Sequence, residues 1–233
     1  MIAVLGIDAL EASCVKKFGC RNLSQESCGA TDLSGFSEPR TVVIWSSFLS
    51  GRNTEREVLA SKDMWGFRLD AKDTFFSAFE RFSAIDVPGF SQDVAQHKRE
   101  REALKGFFGK KVTVEEYDAI ALEWHKKVRE EFFSALEGDY GLVMGYFDAI
   151  DLVGHLSFGV EGKMRMLYDE MDGIAGKVRA MGKGPLLVVS DHGMKPLGSR
   201  YGDHSESGFW SLNSRKDLGM PKPEDFARII ASL

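Results

Sequence analysis

Pro185-Leu186-Leu187-Val188-Val189-Ser190-Asp191-His192-Gly193-Met194 decides how the rest of this 233-residue sequence is read. A short apolar, β-branched run is the pattern of a strand covered on both faces, as in parallel sheets held between helix layers. The glycine after Asp191-His192 lets the chain turn where the run stops. A carboxylate and an imidazole therefore fall together at the carboxyl edge of a parallel sheet, where open α/β folds place their ligands. Outward from this stretch the same arrangement recurs. Ile2-Ala3-Val4-Leu5-Gly6-Ile7 runs into Asp8, and Leu142-Val143-Met144-Gly145-Tyr146-Phe147 runs into Asp148-Ala149-Ile150-Asp151. Asp151 and His155 stand four apart and share one face of a helical turn. Gly202-Asp203-His204 follows in a Gly/Ser-rich loop, so three of the five histidines lie in these segments. Carboxylates mixed with neutral imidazoles suit zinc or manganese better than calcium or magnesium.

Between these segments, strands alternate with helical patterns, which predicts an α/β fold: a doubly wound, mostly parallel sheet with helices on both faces. The strands over 3–7, 142–147 and 186–189 belong near its centre. Helices are expected over 13–18, 74–82, 161–181 and 223–233, with a strand over 84–89 that stops at Pro88-Gly89. Thr113 and Glu116 form a capping box opening a helix to about Leu136, with Tyr117, Ile120, Ala121, Trp124, Val128, Phe132 and Leu136 along one face. The charged run from Gln92 to Lys111 reads as a solvated helix face, a small insertion at about 90–112 in a single domain over 1–233. His97 and His125, in charged helices, read as surface residues, and Trp45, Trp65, Trp124 and Trp210 as core. The length allows one sizeable core, and no apolar stretch reaches the roughly 20 residues of a membrane span. A strand beginning at Met1 leaves no room for a signal peptide. Cys14, Cys20 and Cys28 are odd in number and lack zinc-ligand spacing, so a reducing, cytoplasmic setting is expected. A net charge of −5 argues against a nucleic-acid polymer as partner, but not against small nucleotides.

The order of these motifs resembles the alkaline phosphatase superfamily, above all its type I phosphodiesterase/nucleotide pyrophosphatase branch. Arg40-Thr41-Val42-Val43-Ile44-Trp45-Ser46-Ser47-Phe48-Leu49-Ser50-Gly51-Arg52-Asn53 is similar to that branch's nucleophile segment, a threonine followed after about nine residues by glycine. The resemblance covers residues 1–53 and resumes over about 113–213. It implies two divalent metal ions, zinc with manganese as the alternative. One would be held by Asp8, Thr41, Asp191 and His192, the other by Asp151, His155 and His204. It also implies Thr41 as the nucleophile, a phosphothreonine hydrolysed by water, and a small phosphate ester or nucleotide as substrate, with no membrane partner.

The residues admit this chemistry and leave some choices open. A threonine hydroxyl attacks only when a base or a metal deprotonates it, and two ions about 4 Å apart serve both attacking and leaving oxygens. Asp8 could instead cap the next helix, and Thr41 could be an ordinary strand threonine with Ser46, Ser47 and Ser50 as neighbouring hydroxyls. Asp148 competes with Asp151, Asp203 could orient His204, and Asn53 or Lys62 could hold phosphate oxygens. The chain departs from the branch at Val42-Val43-Ile44, where a proline is usual, and at Thr54-Glu55-Arg56-Glu57. It is also short for the usual substrate-capping insertion. No Cys-x-Pro-x-Arg segment supports a sulfatase, and the length excludes the second domain of a cofactor-independent phosphoglycerate mutase. A degenerate, non-catalytic protein that keeps the metals is the competing reading.

Overall fold

Apolar runs that end in acids fold here into neighbouring strands of one sheet. The computed structural model describes residues 1–37 and 40–233. Its first half contains β1 (Ile2–Ile7), α1 (Ala12–Phe18), α2 (Arg21–Ser24), β2 (Ser27–Ala30), α3 (Thr41–Ser50), α4 (Glu55–Ala60), β3 (Phe82–Ile85) and α5 (Val94–Phe108). Then come α6 (Val114–Glu137), β4 (Leu142–Phe147), α7 (Ala149–Ser157), α8 (Glu161–Met181), β5 (Leu186–Val189), β6 (Met194–Leu197), β7 (Tyr201–His204), β8 (Phe209–Leu212) and α9 (Phe226–Ala231). The sheet order is β2-β8-β5-β1-β4-β3. Strands β5, β1, β4 and β3 run parallel, and β8 runs antiparallel to both β5 and β2. Strands β6 and β7 form a separate antiparallel ribbon.

The central strands are buried on both faces, and their side chains alternate between two helix layers. Ala3, Leu5 and Ile7 pack with Phe132, Leu167 and Met171 from α6 and α8, whereas Ile2 and Val4 pack with Trp45, Phe48 and Phe226 from α3 and α9. Gly6 lets α3 close on β1, because a Cβ there would lie 2.8 Å from the Trp45 ring. Register then levels the strand ends: Ile7 pairs with Phe147 and Gly6 with Val189, so Asp8, Asp148 and Ser190 leave the sheet together. Thr113 and Glu116 form the capping box of α6, and Tyr117, Ala121, Val128, Phe132 and Leu136 are buried. Ile120 and Trp124 are only partly so. Among the described residues, no helix is long and apolar enough to cross a membrane.

Several local expectations are corrected. The segment expected as a helix over 74–82 forms short 3₁₀ turns at Ala71–Asp73 and Phe75–Ala78 and then enters β3. Thr74 accepts a hydrogen bond from the Phe76 N–H, and Phe76 stacks on Phe82, so aromatic packing outweighs helical spacing. The strand stops at Ile85 because Asp86 takes a left-handed φ of 57°. The charged run becomes α5 but is not a plain solvated face, since His97, Glu100 and Ala103 are buried. His125 is buried as well, against Phe147. Trp65 is a surface residue rather than core, covered by Arg101. Thr41 sits not in a strand but at the start of α3.

Candidate active site

The carboxyl ends of four parallel strands deliver the polar residues. Asp8 follows β1, Asp86 follows β3, Asp148 follows β4, and Ser190, Asp191 and His192 follow β5. Helix α7 presents Asp151 and His155 one turn apart. The ribbon brings in His204 because Gly202 allows β7 to press on α7; a Cβ there would lie 2.9 Å from the Gly154 carbonyl oxygen.

Two triads of donors result. His155 Nε2 is 3.3 Å from Asp151 Oδ2 and 3.3 Å from His204 Nε2, and His204 Nε2 is 3.4 Å from Asp151 Oδ1. His192 Nε2 is 3.3 Å from Asp8 Oδ1 and 3.5 Å from Asp191 Oδ2. The His192 and His204 rings stack at 3.8 Å, so the triads abut. Donors about 2.0–2.2 Å from one tetrahedral zinc ion lie roughly 3.3–3.6 Å apart, which matches these separations. Among the described residues, Asp8 Oδ1, Asp151 Oδ1, both Asp191 oxygens and His192 Nε2 are buried without a hydrogen-bond partner. Carbonyls of Gly202 and Gly193 face the Nδ1 atoms of His155 and His192, an arrangement that turns each Nε2 toward a ligand. The donor set therefore fits two divalent ions. Electrostatics also calls for cations: burial and the adjacent Asp8 push the Asp191 pKa well up. Burial opposes ionisation of Asp151, yet His155 and His204 hold its carboxyl well below the usual range. Asp151 in turn raises His155 to about 9.

Thr41 opens α3 and lines a cavity of about 250 Å³ together with Asp8, Tyr146, Asp151, His155 and His204. Its hydroxyl lies 3.5 Å from Asp8 Oδ2, which also accepts a hydrogen bond from the buried Tyr146 phenol. Burial and the neighbouring carboxylates, Asp8 foremost, keep that phenol protonated. The first N–H groups of a helix lack intrahelical acceptors and favour an anion. Ser46 and Ser47 are fully buried inside α3, and Ser47 donates to the Val43 carbonyl. Arg101 stacks on Trp65, 4.3 Å from the ring centroid, in the cavity wall. Beyond His204 a groove of about 810 Å³ continues past Lys195 to Phe36 and Met220.

A third polar group borders the cavity. His97 Nε2 lies 2.9 Å from Asp86 Oδ2, and its Nδ1 lies 2.9 Å from Glu100 Oε2 and 3.5 Å from Asp148 Oδ2. Asp148 thus belongs to this group rather than to the triads. Asn53 bonds the Gly35 carbonyl, and Asp203 accepts from the His204 N–H; Lys62 is exposed. Asp86, His97, Glu100, Arg101 and Tyr146 escaped the sequence reading. Asp86, directly after Ala84-Ile85, carried the same strand-end signal as Asp8.

No family model matches the sequence, and no curated protein matches it. Solved structures do. The alkaline phosphatase of the Antarctic bacterium TAB5 superposes with a TM-score of 0.55 at 13% identity, spanning 99% of this chain and 96% of that one. A sulfatase, PsFucS1 from Pseudoalteromonas sp., gives 0.55 at 10% identity over 100% and 67% of the two chains. Murine ectonucleotide pyrophosphatase/phosphodiesterase 5 gives 0.50 at 16% identity, over 83% of this chain and 57% of that one. The molecule is thus an α/β protein with an acid–histidine site at the carboxyl edge of its sheet. Its fold is that of the alkaline phosphatase superfamily.

Proposed function

We propose that the chain is a phosphoric ester hydrolase of the phosphodiesterase/nucleotide pyrophosphatase kind, acting on a small phosphate ester or nucleotide through Thr41. Two divalent ions, zinc or else manganese, would be held by Asp8, Asp191 and His192 and by Asp151, His155 and His204. One observation carries this reading: the Thr41 hydroxyl, at a helix N-terminus and 3.5 Å from Asp8, faces the same cavity as His155, His204 and Asp151. When bound, such ions supply Lewis-acid stabilisation of attacking and leaving oxygens.

The chain's own groups do the rest. Thr41 gives up its hydroxyl proton to solvent as its Oγ1 attacks phosphorus, the ester P–O bond breaks and the leaving oxygen takes a proton from water, and a second water then cleaves the phosphothreonine and restores the hydroxyl. The first N–H groups of α3 and the Arg101 guanidinium bind the non-bridging oxygens. Tyr146 holds Asp8 in place. Val42, Val43 and Ile44, which depart from the resembled branch, are buried packing residues, so the divergence spares the cavity. The groove beyond His204 has room for a nucleoside-sized group, and the murine neighbour's name supports a nucleotide. Three unpaired thiols at Cys14, Cys20 and Cys28 are compatible with a reducing cytoplasm.

Replacing Thr41 with Ala should lower turnover of bis-p-nitrophenyl phosphate by roughly 10³-fold or more while both metal equivalents remain. Thr41→Ser should keep part of the activity. Full activity in Thr41→Ala would refute the nucleophile. A zinc- or manganese-loaded wild type inert toward aryl and nucleotide esters would favour the non-catalytic alternative.

A further inference from the structure

Beside the two triads lies a charged wall that the proposed chemistry leaves unused. Asp86, His97, Glu100 and Asp148 are all buried. Helix α5 carries two of them, and His97, Glu100, Arg101 and Leu104 fall at helical spacings of three, four and seven residues, on one face. All four line the cavity that contains Thr41.

The His97 ring ties this face to the sheet. Asp86, which it meets at 2.9 Å, stands at the carboxyl end of β3 and also accepts from Trp124 Nε1 of α6 at 2.6 Å. Asp148, at 3.5 Å, stands at the end of β4, and Glu100, at 2.9 Å, is held by Gln96 through its other oxygen. A metal could satisfy three such carboxylates, but donors around one ion would stand farther apart, as the two triads do. The 2.9 Å separation from Asp86 is that of a direct hydrogen bond, and Glu100 Oε2, without a hydrogen-bond partner among the described residues, faces the other ring nitrogen as a counter-charge. Burial opposes a charged ring, yet Asp86 and Glu100 beside it, with the charge of Asp148, outweigh burial and raise His97 to about 11.

We propose that His97 is a positioning residue: clamped by Asp86, Glu100 and Asp148, it fixes the face of α5 that holds Arg101 on Trp65 at the Thr41 cavity. The inference rests on the reading of that cavity as a phosphoryl site. Arg101 touches the substrate; His97 acts through it. Without the clamp, three buried carboxylates repel one another, the turn from His97 to Leu104 shifts, and the guanidinium loses its aim.

Inorganic phosphate, tested as a competitive inhibitor of the metal-loaded enzyme, reads this directly. Four proteins are compared: wild type, Arg101→Ala, His97→Gln and the double variant, each with its metal content and helical circular dichroism. Arg101→Ala should weaken phosphate binding about 10–100-fold, the loss expected for a charge-assisted pair. His97→Gln should weaken it by a comparable factor, with KM affected more than kcat. The double variant should be no worse than either single one, because both remove the same contact. Two metal equivalents should remain throughout. The proposal is overturned if His97→Gln leaves phosphate binding unchanged, if the two effects multiply, or if wild type holds a third equivalent that His97→Gln loses. If His97→Gln does not fold, Glu100→Gln, of the same shape, takes its place with the same expected outcome. An Arg101→Ala enzyme with unchanged phosphate binding sinks this inference alone, provided Thr41→Ala still abolishes turnover; failure of Thr41→Ala to do so sinks the phosphoryl reading itself.

Discussion

Replacing Tyr146 with Phe removes one oxygen from the centre of the site and little else. The ring volume and the edge-to-face contact with Trp45, at 5.5 Å, are retained. Among the described residues, Asp8 Oδ2 then keeps only the Thr41 hydroxyl, 3.5 Å away. A hydrogen bond to a charged acceptor is worth about 1.5–3 kcal/mol, so the metal-depleted variant should lose about 2 kcal/mol of stability. For a chain of this size that is a fall in Tm of about 4–8 °C. A ligating carboxylate deprived of its orienting partner typically binds its metal about 10–100-fold more weakly. Zinc titration against a chromophoric chelator, with thermal melts of the metal-depleted protein, measures both effects. Unchanged affinity and Tm would show that Tyr146 does not hold Asp8. Tighter zinc binding would show that the phenol competes with the ion instead of supporting its ligand.

His97 makes stability depend on alkaline pH. Its folded pKa of about 11 exceeds the ordinary value of 6.5, so its contribution is complete below pH 6.5 and is lost as pH rises through 11. With metal saturating, so that His155 does not titrate, wild type should lose up to about 1.4 kcal/mol per pH unit more than His97→Gln between those limits. Equal slopes in urea unfolding would mean an uncharged ring among Asp86, Glu100 and Asp148. Gly6→Ala would put a Cβ 2.8 Å from the buried Trp45 ring and should cost about 1–3 kcal/mol in the same assay; a neutral result would mean that α3 can recede.

The central strands and the residues at their ends were legible because both signals are local: an apolar run, then an acid. The α6 capping box was legible for the same reason. His97 was not, because the partner that lets it be buried, Asp86, lies at the end of a strand outside its own helix. His125 was hidden in the same way, its ring packed on Phe147 of β4. Thr41-Val42-Val43-Ile44 has the composition of a strand, yet it folds as a helix because packing on both sides overrides propensity. Tyr146 looked like one more apolar strand residue; only the register that sets β4 beside β1 aims its hydroxyl at Asp8.

The donors of the first triad run from residue 8 to residue 192 and follow β1 and β5, which pair only when the sheet forms, and the second triad, from α7 and β7, abuts it. No short fragment of the chain holds the first triad, so ions in the paired sites would recognise the finished fold and not the unfolded chain. Their binding is then a term in global stability: ion at about a hundred times its Kd adds about 2.7 kcal/mol by mass action. Such a protein would depend on metal supply for its lifetime in the cell as well as for its chemistry.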